Sequence, residues 1–360
     1  MSRALQRGLG ALLLLAAAIP AALGVPDGAQ NPAPRVQFAV VWGGLLFASL
    51  AFGPVWRRLN PLRAVAAGLA RLTGDPEETL VRPLPKNLGY WPAAASLAVF
   101  LALEAAFAEQ PLAVLLFLTA HTLGHVGGAM VYGSRWFARA DPFEVTSDLV
   151  GRCALLARRA DVRLEVGSPR ERLADLPVEP GLVAVLALLT AGNLFDGVVE
   201  TPWWTDLRFG LTGAADAAAH VAGLAAVALL VAGAFRVATA TRSLAPALVG
   251  VAVGYAVAHY FAVVLIESQT ALAQLSDPFA RGWDLLGTAD WYASYELLPG
   301  TAAAVVRLIG FLGGHLGAIV VADVIARRGR TSRHARAVQV PLRAVVTVSV
   351  LAGTWLLFGA

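Results

Sequence analysis

Residues 212–234 read TGAADAAAHVAGLAAVALLVAGA. The stretch is long enough to cross the roughly 30 Å hydrocarbon core of a bilayer as one helix. Its only ionisable side chains are Asp216 and His220. Such groups in hydrocarbon cost several kcal/mol unless they face the bundle interior and find a partner there. This one segment therefore states both themes of the chain, which are membrane crossing and histidine where water is scarce.

Similar apolar runs occupy 8–24, 36–54, 90–108, 112–132, 181–198, 246–268, 301–325 and 340–358. With 212–234 they predict an all-α, polytopic integral membrane helix bundle of about nine transmembrane helices, forming a single membrane domain over 1–360. Composition agrees. The 360 residues are 58% hydrophobic and only 14% charged, against about 25% charged in soluble domains, and mean hydropathy is +0.66. The net charge of +4 does not indicate nucleic acid, because the arginines lie in loops between apolar runs. Cys153 is the only cysteine, which leaves no disulfide framework and no cysteine-based zinc site. The first run, with Arg3 and Arg7 before it and small residues before Pro26, reads either as a retained helix or as a signal peptide over 1–24, leaving eight spans.

The arginines predict orientation. Loops after the even-numbered spans carry Arg57, Arg58, Arg63, Arg71, Arg82 and Lys86, then Arg135 through Arg172, Arg236 and Arg242, and Arg327 through Arg343; the opposite loops carry only Arg35, Arg208 and Arg281. The positive-inside rule puts the first set in the cytoplasm. A prokaryotic plasma membrane protein with its N-terminus inside and its C-terminus outside is the expectation, with 134–179 a cytoplasmic loop and 269–300 an external cap.

Two loops repeat a pattern. Gly53, Trp56, Asn60, Pro61 and Leu62 follow the second span, and Gly133, Trp136, Asp141, Pro142 and Phe143 follow the fourth. Asn or Asp before Pro is a helix-start signal. The stretches 61–72 and 143–159 are expected to be short helices on the membrane surface. A third copy, Asp277, Pro278, Phe279, Asp284, Leu285 and Gly287, matches Asp141, Pro142, Phe143, Asp148, Leu149 and Gly151 in spacing but falls on the outer side. It suggests inverted repeats of spans four to six and seven to nine.

Five histidines, His121, His125, His220, His259 and His315, lie inside apolar runs. His121, His220 and His259 sit at comparable depth, roughly 12–14 Å below the outer surface at 1.5 Å per residue. They are expected to converge. His121 with His125, and Asp216 with His220, are i,i+4 pairs on one helix face, a spacing that holds metals inside helix bundles. The candidate metal ligands are His121, His125, Asp216, His220, His259 and His315, for a divalent transition metal such as Zn, Fe or Cu. Glu104, Asp196, Glu267 and Arg307 lie nearer the outer face and are the candidate catalytic groups of an outward-facing cavity. The competing readings are a proton or ion relay, and histidines that only tie helices together. Glycines beside His125, His220 and His315 suggest close helix approach. Neither a Walker A loop, a His-Glu-x-x-His nor a Gly-x-Ser-x-Gly is present, which weakens nucleotide hydrolysis, standard zinc proteases and serine hydrolases.

The run Phe52-Gly53-Pro54-Val55-Trp56-Arg57-Arg58-Leu59-Asn60-Pro61 resembles a prokaryotic family of polytopic membrane proteins known as fenitrothion hydrolases. So do Gly89-Tyr90-Trp91-Pro92-Ala93, Asp141-Pro142-Phe143, Phe195-Asp196-Gly197, and Tyr255 to Gln269 followed by Ser276 to Asp290. The resemblance covers roughly residues 36–326. It implies hydrolysis of an organophosphate-type ester, and it assigns no catalytic residues. Joined to the histidines, it gives a leading expectation of metal-assisted hydrolysis of a small apolar ester drawn from the lipid, the metal activating water and polarising the phosphoryl oxygen. The alternatives are an ion- or proton-coupled transporter and a structural subunit.

Overall fold

The computed structural model describes residues 3–72, 82–158, 164–240, 242–328 and 332–358. Parts of three Arg-rich loops, at 73–81, 159–163 and 329–331, lie outside the described residues. Eight helices are long and apolar enough to cross a membrane, and a shorter apolar helix, Trp91–Phe107, makes the ninth expected segment among the described residues. The protein is an all-α polytopic bundle, with lipid contact implied by its apolar helices.

The chain runs through α1 (Arg3–Leu23), α2 (Ala33–Phe52), α3 (Trp56–Leu59), α4 (Pro61–Leu72), α5 (Trp91–Phe107), α6 (Pro111–Tyr132), α7 (Phe137–Ala140) and α8 (Pro142–Gly151). A hairpin of β1 (Leu156–Arg158) and β2 (Leu164–Val166) follows, antiparallel with Leu156 opposite Val166. Then come α9 (Pro169–Ala174), α10 (Leu182–Val199), α11 (Pro202–Leu207), α12 (Gly213–Ala238), α13 (Leu248–Ser276), α14 (Gly300–Arg327) and α15 (Ser332–Phe358). Helix α13, at 29 residues, is on the order of 43 Å long. It exceeds the bilayer core, and its last ten residues carry Glu267, Gln269 and Gln274.

Helix α1 packs on α6 and α3, and a Cβ at Gly10 would fall on the Leu59 carbonyl oxygen. Asn31 Nδ2 donates to the Pro20 and Val25 carbonyls and fixes the turn into α2. Within α2, Val36–Gly43 winds as a π-helix. Its i→i+5 bonding brings residues five apart to one side, so Gln37 and Trp42 both point inward; π segments recur at functional sites. Helices α13 and α14 make the tightest crossing. A Cβ at Gly314 would strike the Gly250 carbonyl and Gly254 Cα, so small residues set that contact. Gly128 and Gly223 likewise lie against Trp136 and Trp204, whereas Gly124, Gly127 and Gly317 face open space. Small neighbours beside the histidines thus mark close approach in only some positions.

The two loop repeats share one architecture. Gly53 and Gly133 end their spans at φ of +77° and +71°, a region where an L side chain is strained. Each is followed by a four-residue helix, an Asx residue and a Pro-led helix, α4 or α8. Asn60 Oδ1 accepts from Leu62 N, and Asp141 Oδ1 accepts from Phe143 N and Glu144 N. Helix α4 keeps the amphipathic character expected of a surface segment, with Leu62 buried and Leu72 exposed. The expectation for 143–159 fails twice. Helix α8 stops at Gly151 before the hairpin, and all but one of its residues are buried. Its Phe143 packs against Trp42, Trp56, Phe100 and Phe117, so aromatic contacts hold the segment inside the bundle rather than on its surface.

The third copy does not form a helix. Asp277 accepts from Arg281 N and Gly282 N instead, Ala280 and Gly282 take positive φ, and the segment is a run of turns and bends. The inverted-repeat expectation loses its structural counterpart there.

Candidate functional site

The histidines fall into separate clusters, each set by which helices its span touches. On α6, His121 and His125 stand one turn apart with ring centroids 4.2 Å from each other. His121 stacks on Phe117 and brings Nε2 to 3.9 Å from Asp141 Oδ1. Ser96 on α5 reaches His125 Nε2 at 3.3 Å. Asp141 is fully buried. Its other oxygen, Oδ2, accepts from Asn60 Nδ2 at 2.7 Å and Trp56 Nε1 at 3.2 Å. The caps of the two repeats therefore touch, and one carboxylate serves both. Two residues past each cap helix start the pattern recurs: Arg63 of α4 makes a two-pronged bond with Glu144 of α8, at 2.7 and 2.6 Å. A planar guanidinium fork on a carboxylate is among the strongest side-chain pairings.

A second cluster joins four spans. Trp42 Nε1 of α2 donates to Tyr260 OH at 2.8 Å, and Tyr260 OH of α13 donates to Glu104 Oε1 of α5 at 3.0 Å. Asp196 of α10 pairs with His259 Nε2 of α13 at 3.2 Å. Two consecutive residues of α13, His259 and Tyr260, thus hold one carboxyl each. Beside Tyr260 and Trp42 lies a narrow apolar cavity bordered by Asn193 and Thr146, whose Oδ1 and Oγ1 are buried without a hydrogen-bond partner among the described residues.

The remaining histidines have structural partners. Arg208 donates to His220 Nε2 at 2.8 Å and to Asp216 Oδ1 at 2.8 Å. An arginine only donates, so His220 Nε2 is the acceptor and Nδ1–H donates to the Asp216 carbonyl, 3.1 Å away. Trp204 of α11 covers that ring. His315 of α14 contacts the Phe311 carbonyl through Nδ1 and Ser349 Oγ of α15 through Nε2, and Tyr255 of α13 meets the same serine. It ties three helices together. Glu267 pairs with Arg35 at 2.9 Å in the C-terminal part of α13. Arg307 buries its Nε without a hydrogen-bond partner among the described residues.

The expected convergence of His121, His220 and His259 is corrected by this arrangement. Similar depth put the rings at one level, but they belong to three different clusters. Among the described residues no three His, Cys, Asp or Glu side chains form a group that could hold a metal ion. The i,i+4 pairs share a helix face, and Arg208 engages both Asp216 Oδ1 and His220 Nε2.

Of the candidate catalytic residues, Glu104 and Asp196 come together, while Glu267 and Arg307 stand apart. Sequence reasoning missed Trp42, Tyr260 and Arg208 as partners. Tyr260 had a signal, a hydroxyl beside an intramembrane histidine. Gln37, an amide inside an apolar run, had another. No family model, curated protein or solved structure matches this chain.

Proposed function

We propose that this protein is a proton-coupled membrane transporter whose proton-handling groups are Glu104 and Asp196. The observation that carries the reading is the chain Trp42–Tyr260–Glu104 beside Asp196–His259, built from four spans. Carboxylates and histidine paired with one another inside a bundle are the usual material of proton relays. Tyr260 and His259 supply a hydroxyl and an imidazole that can pass a proton between the two carboxyls without either leaving its helix. Ester hydrolysis, which the sequence resemblance implies, is the alternative reading.

A pH jump applied to proteoliposomes on a solid-supported membrane tests this. Wild-type protein should give a transient charge displacement that Glu104→Gln and Asp196→Asn each reduce at least tenfold, with Asp216→Asn unchanged. A wild-type signal no larger than that of protein-free membranes overturns the proposal. Turnover of a nitrophenyl phosphotriester by the same preparation, surviving both substitutions, would favour the hydrolase instead.

The orientation read from the arginines belongs to the same proposal, with the N-terminus and the Arg-rich loops in the cytoplasm. Burial pushes the Cys153 thiol up to about 12, which keeps it protonated and unreactive. Cys153→Ser then yields a cysteine-free background from a single change. New cysteines at 170 and 206 should react with an impermeant maleimide from opposite sides of the membrane.

A further inference from the structure

A cavity lies between α1, the π-helical part of α2 and α6, closed below by the start of α4 and by Phe143 of α8. The centre of a water has about 30 Å³ to move in there. Most of its wall is apolar, with Leu14 and Trp56 among the residues, but Gln37, His121 and Thr122 also border it. Gln37 is 2% exposed and the His121 side chain 7% exposed. Gln37 Nε2 and His121 Nδ1 are buried and have no hydrogen-bond partner among the described residues.

Two orphaned nitrogens from different helices on one cavity are a specific demand. A buried amide N–H left unpaired costs about 1–3 kcal/mol. Direct bonding between the two would satisfy it, but they do not bond each other. Roughly 10–15 Å³ of accessible space suffices for one water, provided two or more polar partners surround it. The volume here suits two. Gln37 faces the cavity because the π winding of 36–43 turns it inward with Trp42; a regular α-helix would swing one of them away.

We propose that this cavity is a hydration site that binds a pair of waters between Gln37 and His121, with the Thr122 hydroxyl as a further partner. The waters accept from Gln37 Nε2 and bridge to His121 Nδ1, whose other nitrogen faces Asp141. The bundle then contains a second polar path, through the junction of the two loop repeats, separate from the Glu104 chain. The inference stands whether or not the protein couples transport to protons.

Gln37→Met decides it by sign. In a dry cavity the substitution removes an unsatisfied donor at nearly constant volume and should raise the unfolding temperature. In a hydrated cavity it strips a water of a partner, and the midpoint should fall by on the order of 2 °C. Radiolytic hydroxyl labelling in ¹⁸O water gives an independent measurement on the wild-type protein. Phe143, on the cavity wall and 3% exposed, should be labelled several-fold faster than Phe311, which is 0% exposed and packed against Tyr255 and His315. Gln37→Met should abolish most of that difference. A raised midpoint, or Phe143 labelled no faster than Phe311, overturns the proposal.

Discussion

Asp141-Pro142-Phe143 and Asp277-Pro278-Phe279 carry the same local signal and end in different structures. Both aspartates cap backbone N–H groups within their own segment. The first starts a ten-residue helix; the second starts a chain of turns. Three differences account for this. Gly282 stands where the first copy has Thr146, and its φ of +76° suits a turn and breaks a helix. Ala280 stands where the first copy has Glu144, so no partner like Arg63 can pin it. Above all, the first copy is covered: Trp56 and Asn60 reach its carboxylate, and four aromatic rings surround Phe143. The second has Trp283 and Arg281 against its phenylalanine, which stays half-buried. An Asp-Pro cap permits a helix. Tertiary contacts decide whether one forms.

The comparison breaks most easily at its centre. Asp141→Ala leaves the Trp56 and Asn60 donors unpaired in the interior, and it should cost about 3–5 kcal/mol of stability. Asp277→Ala, at the exposed copy, should cost less than about 1 kcal/mol. Tryptophan fluorescence during thermal unfolding in detergent reads both, and equal losses would show that the caps do not share a carboxylate as described.

Arg63 and Glu144 come next. Removing Glu144 strands a guanidinium whose side chain is only 17% exposed, at a cost of about 3 kcal/mol. A double-mutant cycle with Arg63→Ala should recover much of that loss. Purely additive losses would mean that the pair does not link α4 to α8.

The smallest effect concerns pH and the exposed copy. Ser276 Oγ donates to Asp284, and this bond leads in holding its carboxyl below the usual range. The bond favours the ionised form, so the turn gains order above the ordinary carboxylate pKa and loses it as pH falls through the depressed value. Protection of the Leu286 and Ala289 amides, taken relative to their intrinsic exchange rates, should fall only under acid conditions below the normal carboxylate range. Lost protection already at neutral pH would contradict the sign.

The sequence by itself determined the class of this molecule, because hydrophobic run length and arginine-poor spans are direct consequences of bilayer thickness. It placed most spans to within a few residues, although α13 runs eight residues past the expected 268 and α15 starts eight before the expected 340. It also located the paired Gly-Trp-Asx-Pro loops, since left-handed glycine ends and Asx caps are local chemistry. It singled out Glu104, Asp196 and the histidines, because an ionisable group in an apolar run is conspicuous without any structure.

What the sequence left open was who meets whom. Depth along a helix is readable from residue counts, but the facing direction depends on neighbours hundreds of residues away in the chain. His121, His220 and His259 share a level and yet have different partners for that reason. Helix α8 reads as a surface segment because its polar residues are visible in sequence and their buried partners, Asn60, Arg63 and Ser49, are not. Only the packing of the two loop repeats against each other, around one shared carboxylate, turned that segment inward.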